Sequence, residues 1–163
     1  MKNLTSVLLI SSVLFLLGCG EQKLSQEEIE DIKVEIRTLI SEHAEAYETG
    51  NIEHFKNAVS DEIMSFGTNR ETVATNTDEW AELFQKDFQS MDSAPFAIKF
   101  KEPENFSIQV SETGDMVTTI YEISYDISFE GEIYPSLFRM AITWRKENGA
   151  WKIVHWLAAR PVD

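Results

Sequence analysis

One cysteine, three histidines and four tyrosines are the side chains here whose chemistry goes beyond carrying a fixed charge. The cysteine has the most informative surroundings. Lys2 gives a short positive start, and Leu4 to Leu17 is apolar except for Thr5, Ser6, Ser11 and Ser12. That run is too short to cross ~30 Å of hydrocarbon, but it has the length of the apolar core of an export signal. It ends in Leu16-Leu17-Gly18-Cys19, an aliphatic residue, a tolerant position, a small residue and then a thiol. Such a junction admits a peptidase between Gly18 and Cys19, and the thiol accepts a diacylglyceryl group as a thioether. The expectation is a lipoprotein precursor: residues 1–18 a signal peptide, 19–24 the lipidated cysteine and a short polar tether, and 25–163 one folded domain. The product would be exported and held on a bacterial membrane by its acyl chains, at about 0.8 kcal/mol per buried CH₂. With Gly20 rather than Asp after the cysteine, a Gram-negative cell would sort it to the outer membrane, facing the periplasm. With no second cysteine, the domain holds no disulfide.

The histidines, His43, His54 and His155, have no short spacing that would hold a metal. No glycine-rich phosphate loop or nucleophile elbow is present, so neither metal nor cofactor is expected. The chain carries 14 basic and 28 acidic residues, a formal net charge of −14. Loss of residues 1–18 removes only Lys2 from that count. A surface so acidic repels nucleic acid and anionic headgroups, which excludes binding through a basic patch.

The elements that position these side chains run helices first, strands after. Ser25 and Glu28 form a capping box, and Ile29, Ile32, Ile36, Leu39, Ile40, His43 and Tyr47 share one helical stripe that ends at Gly50. Asn51 caps a short second helix to about Val59. Ile63 to Phe66 reads as a brief strand and Asn69 to Asn76 as a polar loop. Thr77 or Asn76 caps a third helix bearing Trp80, Phe84 and Phe88 at a spacing of four.

From Ala94 the period changes to two. Strands are expected at Phe96 to Lys101, Phe106 to Val110, Val117 to Phe129, Tyr134 to Lys146 and Trp151 to Arg160. Asn148-Gly149 marks a two-residue type I′ hairpin, in which Glu147 faces Ala150. Uninterrupted pairing from that turn puts Phe138, Met140, Ile142 and Trp144 on one face with Ile153, His155, Leu157 and Ala159. The other face then holds Arg139, Ala141, Thr143, Val154 and Trp156. A bulge would shift this register. The fold class is α+β: a cone of about three N-terminal helices on the concave face of a strongly curved antiparallel sheet.

Two segments carry a resemblance. Ala46-Tyr47-Glu48-Thr49-Gly50-Asn51-Ile52-Glu53 resembles the opening helix-turn-helix of the SnoaL-like branch of the nuclear-transport-factor-2-like superfamily. Residues 139–156, with Glu147-Asn148-Gly149-Ala150-Trp151 at the turn and His155 beyond it, resemble that family's closing hairpin. The resemblance implies a pocket inside the cone. Tyr47, Trp80, Phe84, Phe88, Tyr121, Tyr125, Met140, Trp144 and His155 are the candidates to line it, although aromatics at these periods also serve plain packing. If buried, His43, Tyr47, Tyr121, Tyr125 and His155 each need a hydrogen-bond partner.

Ketosteroid-isomerase-like members carry a carboxylate base on the strand after the second helix. Here that strand, Ile63-Met64-Ser65-Phe66-Gly67, has no acid, and Asp61 and Glu62 are expected to face solvent. Non-catalytic binding of a small apolar ligand is therefore the leading expectation. The alternative is an acid/base isomerase, dehydratase or hydrolase using His155 with Tyr121 or Tyr125. The family's further histidine two residues on is replaced by Leu157. The resemblance also implies a homodimer through the sheet face of Ala141, Thr143, Val154 and Trp156, with Arg139 and Arg160 at its margin facing Glu122 and Asp126.

Overall fold

A computed structural model describes residues 23–67, 73–94 and 96–161. The expected signal peptide, cleavage site and Cys19 lie outside the described residues.

Among the described residues there are three helices, all before the main run of strands. Helix α1 spans Gln26–Glu48 and begins on the expected capping box: the Glu28 amide donates to Ser25 Oγ, and Glu28 accepts from the Ser25 amide. Helix α2 spans Ile52–Ala58 and is capped by Asn51, whose side chain accepts from the His54 amide. Helix α3 spans Thr77–Ser93, and of its two candidate caps the structure uses Asn76, which accepts from the Glu79 amide.

Among the described residues, seven strands follow the helices or lie between them: β1 (Val59–Phe66), β2 (Val73–Ala74), β3 (Phe96–Phe100), β4 (Glu104–Val110), β5 (Met116–Phe129), β6 (Glu132–Glu147) and β7 (Ala150–Ala159). They form one sheet in the order β2-β1-β7-β6-β5-β3, with β4 also paired to β5. Strands β3 and β4 divide β5 between them, β4 taking its first half and β3 its second. The helices pack on this curved, open sheet around a core that includes Ile36, Ile40, Phe55, Ile63, Trp80, Ile142, Trp144 and Ile153.

Two expectations need correction. The sheet is mixed rather than antiparallel, because β1 runs parallel to β7. Alternating burial looks the same whichever way a neighbour runs, and β1 and β7 are far apart in sequence. The second correction concerns register. The Asn148-Gly149 turn forms with φ of 51° and 85°, and Glu147 pairs with Ala150. Pairing then continues to Trp144↔Ile153, but the next pair is Thr143↔His155. Val154 is an extra residue, a β-bulge, and every later side chain of β7 changes face. Trp156 and Ala158 turn inward with Ile142 and Met140, while His155 and Leu157 turn outward with Thr143 and Ala141.

Candidate functional site

Helices α1 and α3 each offer the inside of the cone the same four-residue pattern. On α1 it is Ile40, His43, Ala44 and Tyr47; on α3 it is Trp80, Leu83, Phe84 and Asp87. Positions i, i+3, i+4 and i+7 fall on one helical face, so the two stripes converge over the sheet. The sheet closes the space with Ser65 of β1, Phe100 of β3, Tyr121 and Ile123 of β5, Phe138 and Met140 of β6, and Trp156 and Ala158 of β7. The cavity measures about 160 Å³. A cavity of ~150 Å³ lined by apolar side chains is known to hold benzene, which sets the scale of what fits here.

Of the expected lining residues, Tyr47, Trp80, Phe84, Tyr121 and Met140 are on the cavity wall. Phe88 sits behind it, its ring centroid 5.4 Å from Tyr47 and 5.5 Å from Phe55. Tyr125 is buried between Phe138, stacked at 4.8 Å, and Phe100 at 5.5 Å. Trp144 is sealed in the core, where its indole N–H donates to Thr119 Oγ1 at 3.4 Å. His155 is not in the cavity: the Val154 bulge leaves it exposed on the outer face, opposite Thr143 and Met64. A scheme pairing His155 with Tyr121 or Tyr125 therefore lacks its base. Asp61 and Glu62 are exposed, accepting from the Thr77 hydroxyl and from Arg145, so β1 brings no carboxylate inside.

The polar side chains on the cavity wall are those of His43, Tyr47, Ser65, Asp87 and Tyr121. His43 is 7 % exposed, boxed by Phe55 at 4.3 Å, Trp156 at 5.1 Å and Phe84 at 6.4 Å between ring centroids. Its Nδ1 lies 3.3 Å from His54 Nε2, and its Nε2 is buried with no partner among the described residues. Burial, reinforced by the neighbouring His54, drives the His43 pKa down to about 3. His54 is also lowered, mainly by its own burial and against the pull of Glu42. Both imidazoles are therefore neutral at neutral pH.

At the rim, the Tyr47 hydroxyl donates to Asp87 Oδ2 at 3.1 Å. Burial first, then the Asp87 charge, pushes the Tyr47 phenol above its ordinary range. Partial burial raises the Asp87 carboxyl, opposed by the bond from Tyr47. Asp87 still meets solvent.

Asp87 carries a sequence signal that the spacing of four did not use, since it lies seven residues after Trp80 on the same stripe. Nothing in the sequence marks Val154 as a bulge, and uninterrupted pairing puts Trp156 on the outer face. Among the described residues, no group of three or more His, Cys, Asp or Glu is placed to hold a metal.

This arrangement, helices closing a curved sheet over an internal cavity, is the nuclear-transport-factor-2-like class of cone. Solved structures agree. An NTF2-like protein with a cystatin-like fold from Novosphingobium aromaticivorans superposes with a TM-score of 0.69 at 15% identity, covering 82% of this chain and 84% of its own. A putative scytalone dehydratase from the same organism gives 0.67 at 12%, covering 85% and 89%. A putative calcium/calmodulin-dependent protein kinase II association domain from Xanthomonas campestris gives 0.65 at 12%, covering 79% and 87%. At these identities the likeness shows the fold alone. No curated protein matches the chain in sequence. The SnoaL-like domain model matches residues 36–163, and the chain belongs to that family.

Burial of a neutral imidazole gives stability a pH dependence of definite sign. The folded protein resists protonation of His43 down to about pH 3, whereas an unfolded histidine takes up a proton below about pH 6.5. Its contribution is thus full above about pH 6.5 and is lost as pH falls towards 3, at up to about 1.4 kcal/mol per pH unit. Urea melts at about pH 7.5 and pH 5 should show that loss, and His43→Phe should flatten it. An unchanged slope in the variant would contradict a buried neutral imidazole.

Proposed function

We propose that this protein is an exported, lipid-anchored carrier or sensor whose SnoaL-like cone binds one small, largely apolar ring compound without transforming it. The observation that supports this is the cavity itself: about 160 Å³, walled by aromatic and aliphatic side chains, with few convergent polar groups. Concave apolar space of this kind is a binding site by default. Its size favours a single ring over a steroid. Among the described residues, the strand that would supply a general base in an isomerase presents only Ser65 and Gly67 to the cavity.

Ligand binding should be visible as thermal stabilisation. At a hundred times its dissociation constant, a ligand adds about 2.7 kcal/mol to the folded state. Monocyclic aromatic or alicyclic compounds should raise the melting temperature of the wild type, and steroid-sized ones should not. Ala158→Leu, which extends a side chain into the cavity, should abolish the shift. The reading fails if ring compounds leave the wild type unmoved, or if they stabilise Ala158→Leu equally well.

Anchoring through Cys19 is the second part of the proposal. Helix α1 starts at Gln26, seven residues after Cys19, so a lipidated Cys19 would hold the domain close to the bilayer. Cells fed labelled palmitate should label the wild type and not Cys19→Ser, and the variant should leave the membrane fraction. Label retained by Cys19→Ser would refute the anchor.

The third part is self-association through the outer sheet face, with its composition revised by the bulge. Trp156 is turned inward and Val154 is buried, so neither belongs to this face. Phe66, Leu157, Ala141 and Ile120 instead form a cross-strand row, in which Phe66, Leu157 and Ile120 are each about half exposed. Arg139 does not wait for a partner subunit, because its Nε donates to Glu122 of the same chain at 2.8 Å. An apolar row in water costs roughly 25 cal/mol per Å², and an isologous contact removes it on both copies at once. Light scattering should give a dimer that Leu157→Glu converts to a monomer. A wild type monomeric at every concentration would refute the dimer.

A further inference from the structure

His43 and His54 are two neutral rings that share one hydrogen bond, between Nδ1 of the first and Nε2 of the second at 3.3 Å. Only one of those two nitrogens carries the bridging proton. With the proton on His43 Nδ1, His43 Nε2 is bare and accepts; with the proton on His54 Nε2, His43 Nε2 bears hydrogen and donates. Exchange between the two forms puts no charge inside the cavity. His54 is half-buried, with Glu42 close enough to affect its titration, so the outer ring of the pair is the one with access to solvent.

The inner nitrogen is the unsatisfied part of this arrangement. Nε2 of His43 is buried without a partner among the described residues, while the ring it belongs to is part of the cavity wall. A buried polar atom left unpaired costs about 1–3 kcal/mol, and a native structure that keeps one calls for an explanation. The other hydrogen-bonding pair at the cavity, Tyr47 with Asp87, is already mutually satisfied.

We propose that His43 is the recognition residue of this cavity and that its Nε2 bonds the single uncharged oxygen of a one-ring ligand, with His54 setting the tautomer. This rests on the reading of the cavity as a ligand site and names the ligand class. The volume admits one ring with one or two further heavy atoms. The walls favour an aromatic or alicyclic body. A hydroxyl is met by the bare form of Nε2 and a carbonyl by the protonated form. A carboxylate is excluded, because among the described residues no cation lines the cavity to offset burial of its charge.

Phenol, toluene and benzoate separate these requirements at nearly constant shape. Calorimetric titration of the purified full-length protein should show phenol binding about ten-fold more tightly than toluene, the equivalent of one hydrogen bond to an otherwise unpaired group. Benzoate should not bind. His43→Phe replaces the ring by an apolar one of similar size, and should keep toluene binding while losing the preference for phenol.

The ¹⁵N resonances of the wild-type imidazoles give a reading that does not depend on any variant folding. Saturating phenol should fix His43 in the Nδ1–H form, and toluene should leave its tautomer unchanged. Equal affinity for phenol and toluene, a preference that survives in His43→Phe, or His43 resonances indifferent to phenol would overturn the role given to His43 while leaving the cavity standing. Failure of both phenol and toluene to bind would overturn the cavity reading and this inference with it.

Discussion

Val154 adds one residue to β7 without a counterpart on β6, and the inside of the cone takes its character from that addition. In a strand the side-chain period is two, so a single extra residue exchanges the two faces for everything beyond it. Before the bulge, Ile153 lies opposite Trp144 and fills the core; after it, Trp156 lies opposite Ile142 and Ala158 opposite Met140. The Trp156 indole then stands 5.2 Å from Trp80 and 5.1 Å from His43, closing the aromatic box around the imidazole. Without the bulge, His155 and Leu157 would occupy that wall, and the outer face would carry a tryptophan. The same slip leaves Leu157 outside, in line with Phe66, so the cavity lining and the apolar outer row have one cause.

Desolvation governs the chemistry that results. His43 sits where α1, α2, α3 and β7 meet, among rings that provide no countercharge, and it stays neutral well below the usual range for histidine. A histidine so depressed is a poor reservoir for a proton, but it is a directional hydrogen-bonding group in a dry site, where such a bond is worth more than in water. His54 makes that direction definable by engaging the opposite nitrogen. Tyr47 and Asp87 stand at the rim, where the carboxylate keeps access to water. The site thus grades from a dry imidazole within to a wet carboxylate without.

Much of the frame is legible in the residues. Ser25 with Glu28, Asn51 and Asn76 announce helix starts because each has a side-chain oxygen that an end-of-helix amide needs. Asn148-Gly149 announces its turn because both positions require φ > 0. The turn between β5 and β6 carries a weaker mark: it is Glu130-Gly131, with a glutamate at φ 51° where asparagine would be the signal. The short strand β2 pairs only at Ser65↔Ala74 and Phe66↔Val73, too little to rise above a polar loop. The parallel β1–β7 pairing and the bulge depend on packing between distant segments, and neither leaves a local mark. For the same reason the His43–His54 contact leaves no local mark: eleven residues and a helix-to-helix turn separate them, a spacing that no single-helix periodicity connects. Phe88, Tyr125 and Trp144 read as lining because period alone cannot tell a wall from the layer behind it.

The fold supports both binding and enzymatic proteins, so function has to be read from the cavity rather than from the family. What distinguishes this cavity is its combination of one-ring size, aromatic walls and a single dry imidazole, all of which need Trp156 on the inside. Xenon tests that arrangement directly, since it enters apolar cavities of this size and scatters strongly. Crystals of the protein pressurised with xenon should show one atom bounded by Trp80, Phe84, Tyr121, Met140 and Trp156. Crystals without xenon in that space, or with the Trp156 ring on the outer face beside Phe66, would contradict it.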